Sequence, residues 1–330
     1  MKQDHKKIVC IGGGTGTFVT LKGLKHTPHH VSAIVAMSDS GGSNKRIRDE
    51  FGLLPTSDIR QCLVALSNEN GEAGLLRKLF MYRFEKGEGI SGMTFGNLFM
   101  AALTDILGSQ AEAIRQTGNV LRISGRVIPV SFTDTNLFAE YENGQILTEE
   151  HFIDEPVHDG TLKITKVYLK PIASANPEAL DAILQADLIV LGPGDLYTSV
   201  IPNLLVEGIA DAIKNSSAIK VYVMNLMTKF GQTYNFTAHN HVNVIQEYLG
   251  KSLDAVIVNQ SSLSKQALEV YAKYKEYPVI DDLKSSDTQI IRADVASRQM
   301  VRKSKSDALV RSLIRHDSMR LAKTLVSLLK

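Results

Sequence analysis

Short apolar runs closed by glycine or asparagine alternate with stretches of helical spacing along most of this chain. The first run, residues 8–11, has charge on one side and Gly12 on the other, the pattern of a strand buried on both faces of a parallel sheet. Residues 15–25 follow with Phe18, Leu21 and Leu24 at helical spacing, and 31–37 is the next strand. Strand, glycine turn, helix and strand make a βαβ unit with a right-handed crossover. From Ser57 the pattern stays helical. Ile59, Cys62, Leu63 and Leu66 share one face; Leu75, Leu76, Leu79 and Phe80 share a second; Phe95, Leu98, Phe99, Ala102, Leu103 and Ile106 share a third. Ser57 and Thr94 are the expected N-caps.

Residues 120–170 change character. The runs 120–123, 127–130, 137–141, 146–147 and 162–169 read as strands, and Asn143-Gly144 is a hairpin turn. Helix and strand then alternate again. Asn176-Pro177 caps a helix, and strands are expected at Leu188–Leu191, 218–224, 254–258 and 289–295, with helices over 198–215 and 239–249. Residues 296–305 lack periodicity and read as a mobile loop; a last helix is expected from an N-cap at Ser306, with Leu309, Val310, Leu313, Leu321, Leu325 and Leu329 as its apolar stripe. The pattern describes an α/β protein with parallel strands, long enough for one large domain or two modest ones, and a β-rich insertion at about 120–170.

Composition narrows the function classes more than the fold. The chain has 330 residues, 44% hydrophobic and 22% charged, an ordinary globular balance. A net charge of +2 gives no reason to expect nucleic-acid or membrane binding. No stretch approaches the ~18 apolar residues of a membrane span, and no targeting segment is visible, so the expected location is the cytoplasm. The two cysteines, Cys10 and Cys62, lie in apolar runs and read as buried small hydrophobes. A homodimer is the default assembly.

The turns that close the strands carry the candidate chemistry. Gly12-Gly13-Gly14-Thr15-Gly16-Thr17 follows the first strand. Glycines let backbone approach a pyrophosphate, and the next helix offers free N–H groups and a positive dipole end. It is not a Walker loop, and Thr17 stands where the dinucleotide fingerprint needs its third glycine. Asp39-Ser40-Gly41-Gly42-Ser43, followed by Lys45, Arg46 and Arg48, is a second anion cradle. Asp39 there is a ribose acceptor or a ligand for a divalent cation. Gly96-Asn97 opens a helix. Gly192-Pro193-Gly194-Asp195-Leu196-Tyr197-Thr198-Ser199 is the most specific run: a rigid, closely approachable turn, with Thr198 or Ser199 as cap and Asp195 as metal ligand, base or hydroxyl acceptor. Asn225 with Thr228 closes a later strand. Each turn alone is compatible with a ligand-free loop. Their recurrence at strand ends points to one crevice, since open α/β sheets bind ligands there. The pair His239 and His241 points to different helix faces and does not suggest a metal.

In order and wording these motifs resemble the YvcK-like gluconeogenesis factor family, which shares the fold of 2-phospho-L-lactate transferase (CofD-like), over residues 7–330. The resemblance implies a three-layer α/β/α fold around a Rossmann-like parallel sheet, one domain over 1–330 with the β-rich stretch at about 120–170 as an insertion, and a cytoplasmic protein. It also implies UDP-sugar binding, for example UDP-N-acetylglucosamine, and support of cell shape and wall synthesis on gluconeogenic carbon sources. It places Gly12 to Thr17, Gly41, Gly42, Ser43 and Gly194 along a diphosphate, and Asn225 and Thr228 beside the sugar or base. It assigns Tyr271 to stacking near the uracil, with Arg315 as its paired arginine. The transferase branch implies Mg²⁺, held here by Asp39 and Asp195 as catalytic candidates. Where the family often has a second carboxylate or an asparagine, this chain has Ser40, which weakens a magnesium site and favours binding over transfer. Three functions are therefore open: a nucleotide-sugar sensor without a required cofactor, acting on a regulatory protein partner; a Mg²⁺-dependent transferase; and an NAD oxidoreductase, disfavoured by Thr17 and the second glycine turn.

Overall fold

The computed structural model describes residues 5–69, 71–155, 157–284, 287–299 and 313–329. Ten strands form two sheets: β1 Lys7–Gly12, β2 His30–Val35, β3 Arg126–Pro129, β4 Asn136–Tyr141, β5 Ile146–Thr148, β6 Ile164–Lys170, β7 Leu188–Leu191, β8 Ile219–Val223, β9 Ala255–Asn259 and β10 Gln289–Ala293. The large sheet has the order β10-β9-β8-β7-β1-β2-β3 and every pairing in it is parallel. The chain winds outward from β1 to β3 on one side and from β7 to β10 on the other. The order therefore reverses between β1 and β7, the position where open α/β sheets hold their ligands.

Alternation along the central strands supplies two cores. Val9 and Ile11 point into one apolar cluster, Ile8 and Cys10 into the other. Helices Pro177–Leu184, Ile209–Asn215 and Ala238–Leu249 cover the first face; Gly14–Leu24, Ser57–Leu66 and Ser318–Ser327 cover the second. Cys10 and Cys62 are buried free thiols in the second core. At Gly23 two helices of that layer meet without a side chain between them: an added Cβ would fall 1.9 Å from the Ser318 carbonyl oxygen.

The β-rich stretch divides differently from expectation. Residues 120–123 are not a strand; they end the Gln110–Val120 helix, where backbone bonds from Leu121 and Arg122 close the last turn. Residues 126–129 are β3, an edge of the large parallel sheet. The inserted antiparallel sheet is β5-β4-β6 alone, with the Asn143-Gly144 hairpin between β4 and β5 and Gly144 at φ +82°.

Helix ends also move. Thr94 caps its helix by accepting the Asn97 N–H, and Asn176 accepts the Glu178 N–H, as expected. Thr56, not Ser57, occupies the next N-cap position, because the Ser57 hydroxyl is turned to Asn44. Residues 198–215 form no single helix. Asp195 O accepts both the Ser199 and Val200 N–H groups in a wide turn, and separate helices follow at Ile201–Leu204 and Ile209–Asn215. Neither Thr198 nor Ser199 caps a helix; Asp195 holds the N-cap position of that turn without a side-chain bond. Leu75 and Leu79 are exposed, so the second apolar face is only half used. The cap expected at Ser306, the stripe residues Leu309 and Val310, and part of the 296–305 loop lie outside the described residues; the described last helix starts at Ser318 under an Asp317 cap.

Candidate functional site

A cleft of about 780 Å³ opens at the carboxyl ends of β1, β7 and β8. Its floor is backbone. Gly13 precedes the Gly14–Leu24 helix with no side-chain cap, so the first N–H groups of that helix have no side chain at the cap position to take them. Gly14 adopts φ +62°, a left-handed conformation that favours glycine. A Cβ on Gly16 would fall 2.1 Å from the Pro193 carbonyl oxygen, so the two turns interlock only because Gly16 has none. Asn225, after β8, ties on a third strand end: it accepts from the Tyr222 hydroxyl at 3.0 Å and donates to Gly194 O at 2.7 Å.

Of the residues expected at the ligand, Gly13, Gly14, Thr15, Gly16, Asp39, Gly41, Pro193, Gly194, Asp195, Thr198, Asn225, Thr228, Tyr271 and Arg315 line this cleft. Thr17 is fully buried and lies beneath Gly12. Tyr197 packs in the core against Phe236, and Gly192 turns the chain behind Pro193 at φ +71°. Gly42 and Ser43 begin the Gly42–Phe51 helix. Arg46 turns away from it: its guanidinium donates to the carbonyls of Gly89 and Ser91. Gly96 and Asn97 are buried behind Arg60, which Asn97 Oδ1 holds by its Nε–H at 3.1 Å.

Opposite chemistry gathers on side chains that no local motif announced. The short helix Glu150–Asp154 of the insertion brings Glu150 and Asp154 to the cleft, anchored where the His151 N–H donates to Ser40 Oγ at 3.1 Å. Ser40, the departure from the family pattern, thus holds the insertion in place. Lys229 forms ion pairs with both Asp154 and Asp195, the latter at 2.5 Å. Burial opposes the charge on Lys229, but these two carboxylates outweigh it and hold its pKa above the ordinary lysine value. Burial lifts Asp39, Glu150 and Asp195 above the usual carboxylate range, and their mutual repulsion with Asp154 adds to it. Asp58 is pushed up to about 7, by burial first and by Asp39 second, while the Gly14 N–H pulls the other way. A carboxylate therefore already sits against the first glycine turn. His316, at the far wall, is driven down to about 4 by burial and is neutral at physiological pH.

Asp39 and Asp195, the expected magnesium pair, each already have a partner. Asp39 accepts the Gly41 N–H at 2.9 Å and the Asn44 amide at 2.5 Å, and Asp195 is engaged by Lys229. Among the described residues no three His, Cys, Asp or Glu side chains form a group suited to a metal ion. The Lys229 ammonium occupies the place among the carboxylates that a cation would take.

Tyr271 lies buried on the Lys265–Ala272 helix, and its hydroxyl accepts the Ile314 N–H at 3.3 Å, which brings Arg315 to the same wall. Thr228 is locked by reciprocal bonds with Tyr277, through its N–H at 2.7 Å and its hydroxyl at 3.0 Å. Asp58, Arg60, Arg83, Glu150, Asp154 and Lys229 were not foreseen. Arg60 did leave a signal, as a lone charge among Ile59, Cys62 and Leu63; Lys229 adjoined a flagged turn; Glu150 and Asp154 left none, because only tertiary folding brings the insertion here.

Fold and cleft together define an open parallel α/β protein with a polar cleft at its topological switch point. Comparison with known proteins makes this specific. The model of the 2-phospho-L-lactate transferase CofD family matches residues 8–298. The gluconeogenesis factor of Bacillus subtilis is 38% identical over 329 residues, 98% of either chain. That of Halalkalibacterium halodurans is 44% identical over 280 residues, 84% of either chain. The crystal structure of a Bacillus halodurans protein matches with a TM-score of 0.88 at 39% identity, covering 98% of this chain and 100% of that one. The chain belongs to the CofD-like family, in its gluconeogenesis factor branch. Among the described residues no helix is long and apolar enough to cross a membrane.

Proposed function

We propose that the protein is a cytoplasmic nucleotide-sugar-binding factor, that its ligand is a UDP-sugar such as UDP-N-acetylglucosamine, and that it supports cell shape and wall synthesis on gluconeogenic carbon sources. The observation that carries this reading is the convergence of the turns after β1, β7 and β8 on one cleft at the switch point. Backbone N–H groups of Gly13 to Gly16 and Gly194 face the diphosphate. Tyr271 packs on the base and Arg315 closes over it. Asn225 and Thr228 flank the sugar. The name gluconeogenesis factor, carried by the Bacillus and Halalkalibacterium relatives, supports the link to gluconeogenic growth.

Binding without turnover is favoured over phospholactyl transfer because Lys229 already neutralises Asp154 and Asp195. The transferase name of the matching family model supports the second reading, a metal-dependent transferase drawing on Asp39 and Asp195. A thermal-shift titration separates them. UDP-N-acetylglucosamine raises the melting temperature with no added Mg²⁺, since a ligand of the native state stabilises it. A shift that requires Mg²⁺, with metal-dependent release of nucleotide monophosphate that Asp39→Ala abolishes, would replace binding by transfer.

A further inference from the structure

The Gly96-Asn97 turn does not reach the cleft, but the side chain it holds does. Arg60 is the fourth residue of the Ser57–Leu66 helix. It is only 4% exposed, and that remnant opens on the cleft beside Arg83 and Gly92. Its Nε–H donates to Asn97 Oδ1 at 3.1 Å and an Nη to Met81 Sδ at 3.0 Å. A Cβ on Gly96 would fall 2.7 Å from Arg60 Cδ, so the glycine makes the slot in which the side chain lies. Among the described residues, no carboxylate oxygen lies within 4.0 Å of the guanidinium.

Three costs fall on this one charge. A buried guanidinium without an ion pair loses solvation that its bonds to the Asn97 amide oxygen and the weakly accepting Met81 sulfur return only in part. The near end of its own helix is the positive end of the dipole. A second guanidinium, Arg83, stands within electrostatic reach and opposes it, with Asp58 the countering charge. Arg83 donates to Gly92 O at 2.5 Å and faces the same cleft. An apolar or neutral side chain would suit a purely structural role in this slot better.

We infer that Arg60 and Arg83 form an oxyanion subsite, separate from the glycine turns, that takes a carboxylate or a phosphomonoester. Two guanidiniums on one wall offer the paired N–H donors that such planar or tetrahedral oxyanions accept. The oxyanion belongs either to a second small molecule or to the far end of the ligand held by the glycine turns; the chemistry recognised is the same. Asn97 and Gly96 are positioning residues for Arg60. The subsite does not depend on the main ligand being a nucleotide.

The test is a thermal-shift titration with inorganic phosphate and with acetate, against sodium chloride at equal ionic strength, with and without saturating UDP-N-acetylglucosamine. Wild type, Arg60→Gln and Arg83→Gln are compared. One of the two anions raises the melting temperature of wild type with the nucleotide sugar present, and Arg60→Gln weakens that response about tenfold or more, as loss of a charge-assisted partner requires. Arg83→Gln weakens it less, and decides the matter if Arg60→Gln does not fold. A response to phosphate alone identifies a phosphomonoester site, to acetate alone a carboxylate site. Wild type that responds to neither anion, or variants that respond as wild type does, overturn the inference. The nucleotide reading fails independently: an Arg60-dependent anion response without any effect of the UDP-sugar removes that reading and keeps the subsite.

Discussion

Apart from Asp195, which is turned to Lys229, the wall built by the turns after β1 and β7 is mainly backbone, whereas the wall built by the Glu150–Asp154 helix and Lys229 is mainly charged side chains. On the first, polarity comes from N–H groups whose direction the sheet fixes and no change of pH alters. On the second, carboxylates raised by burial surround one ammonium, and their charge depends on proton supply. An anionic ligand is drawn to the first wall and repelled by the second. Asp58 stands between them, against the glycine turn but titrating with the acids. The same cleft thus combines a permanent attraction with an adjustable opposition.

The sharpest way to break this contrast is at the backbone wall. Gly16→Ala drives a Cβ into the Pro193 carbonyl, and the interlocked turns must part at a cost of about 3 kcal/mol. Urea unfolding detects the loss, and calorimetry shows nucleotide-sugar binding abolished. On the acid wall, Lys229→Met leaves Asp154 and the part-exposed Asp195 without their cation, which costs about 2 kcal/mol at pH 8 once solvent screening of Asp195 is allowed for. Burial already holds Asp195 above the usual carboxylate range, so that loss fades as pH falls and Asp195 protonates. A deficit independent of pH would show that Lys229 acts by packing alone.

Asp58→Asn has a smaller effect of opposite sign. The folded-state pKa near 7 lies above the unfolded value, so wild type loses stability as pH rises from about 4 through 7. The asparagine variant melts higher than wild type at pH 8 and the two converge only below about pH 4. Ligand affinity follows the same proton: wild type binds the nucleotide sugar more tightly at pH 6 than at pH 8, and the variant loses most of that slope. Equal slopes in calorimetry at the two pH values would remove Asp58 from the anion path. Smallest of all is Arg46→Ala. Its bonds run to Gly89 and Ser91 outside the cleft, so affinity is unchanged and stability falls by less than about 1 kcal/mol. A tenfold loss of affinity would restore Arg46 to the ligand.

The contrast also explains which parts of the site the sequence disclosed. Glycine turns after apolar runs are local signals, because a turn and its neighbouring strand are consecutive in the chain. Gly13, Gly16, Gly194 and Asn225 were legible for that reason, and so was the parallel sheet. Residues on the other wall come from distant segments. Asp154 meets Lys229 across the insertion, and nothing near either in sequence announces the partner. Gly96-Asn97 was legible as special but misplaced in role, since it faces Arg60 and not solvent. Thr17 failed for a related reason: its neighbours face the ligand, but helical geometry turns it inward. β3 was grouped with the insertion because strand pattern reveals pleat and burial, not which sheet a strand joins.

The bare contact at Gly23 has a mechanical consequence. Two helices ordinarily meet through side chains, whose rotamers absorb small displacements as springs do. Here backbone bears on backbone, and a close-packed interior leaves no slack to take up a shift. The Gly14–Leu24 helix begins at the first glycine turn, and the Ser318–Ser327 helix begins two residues after His316, on the wall that carries Arg315. The pair behaves as a single rigid strut with one foot on each side of the cleft, so movement of either helix displaces both walls in step.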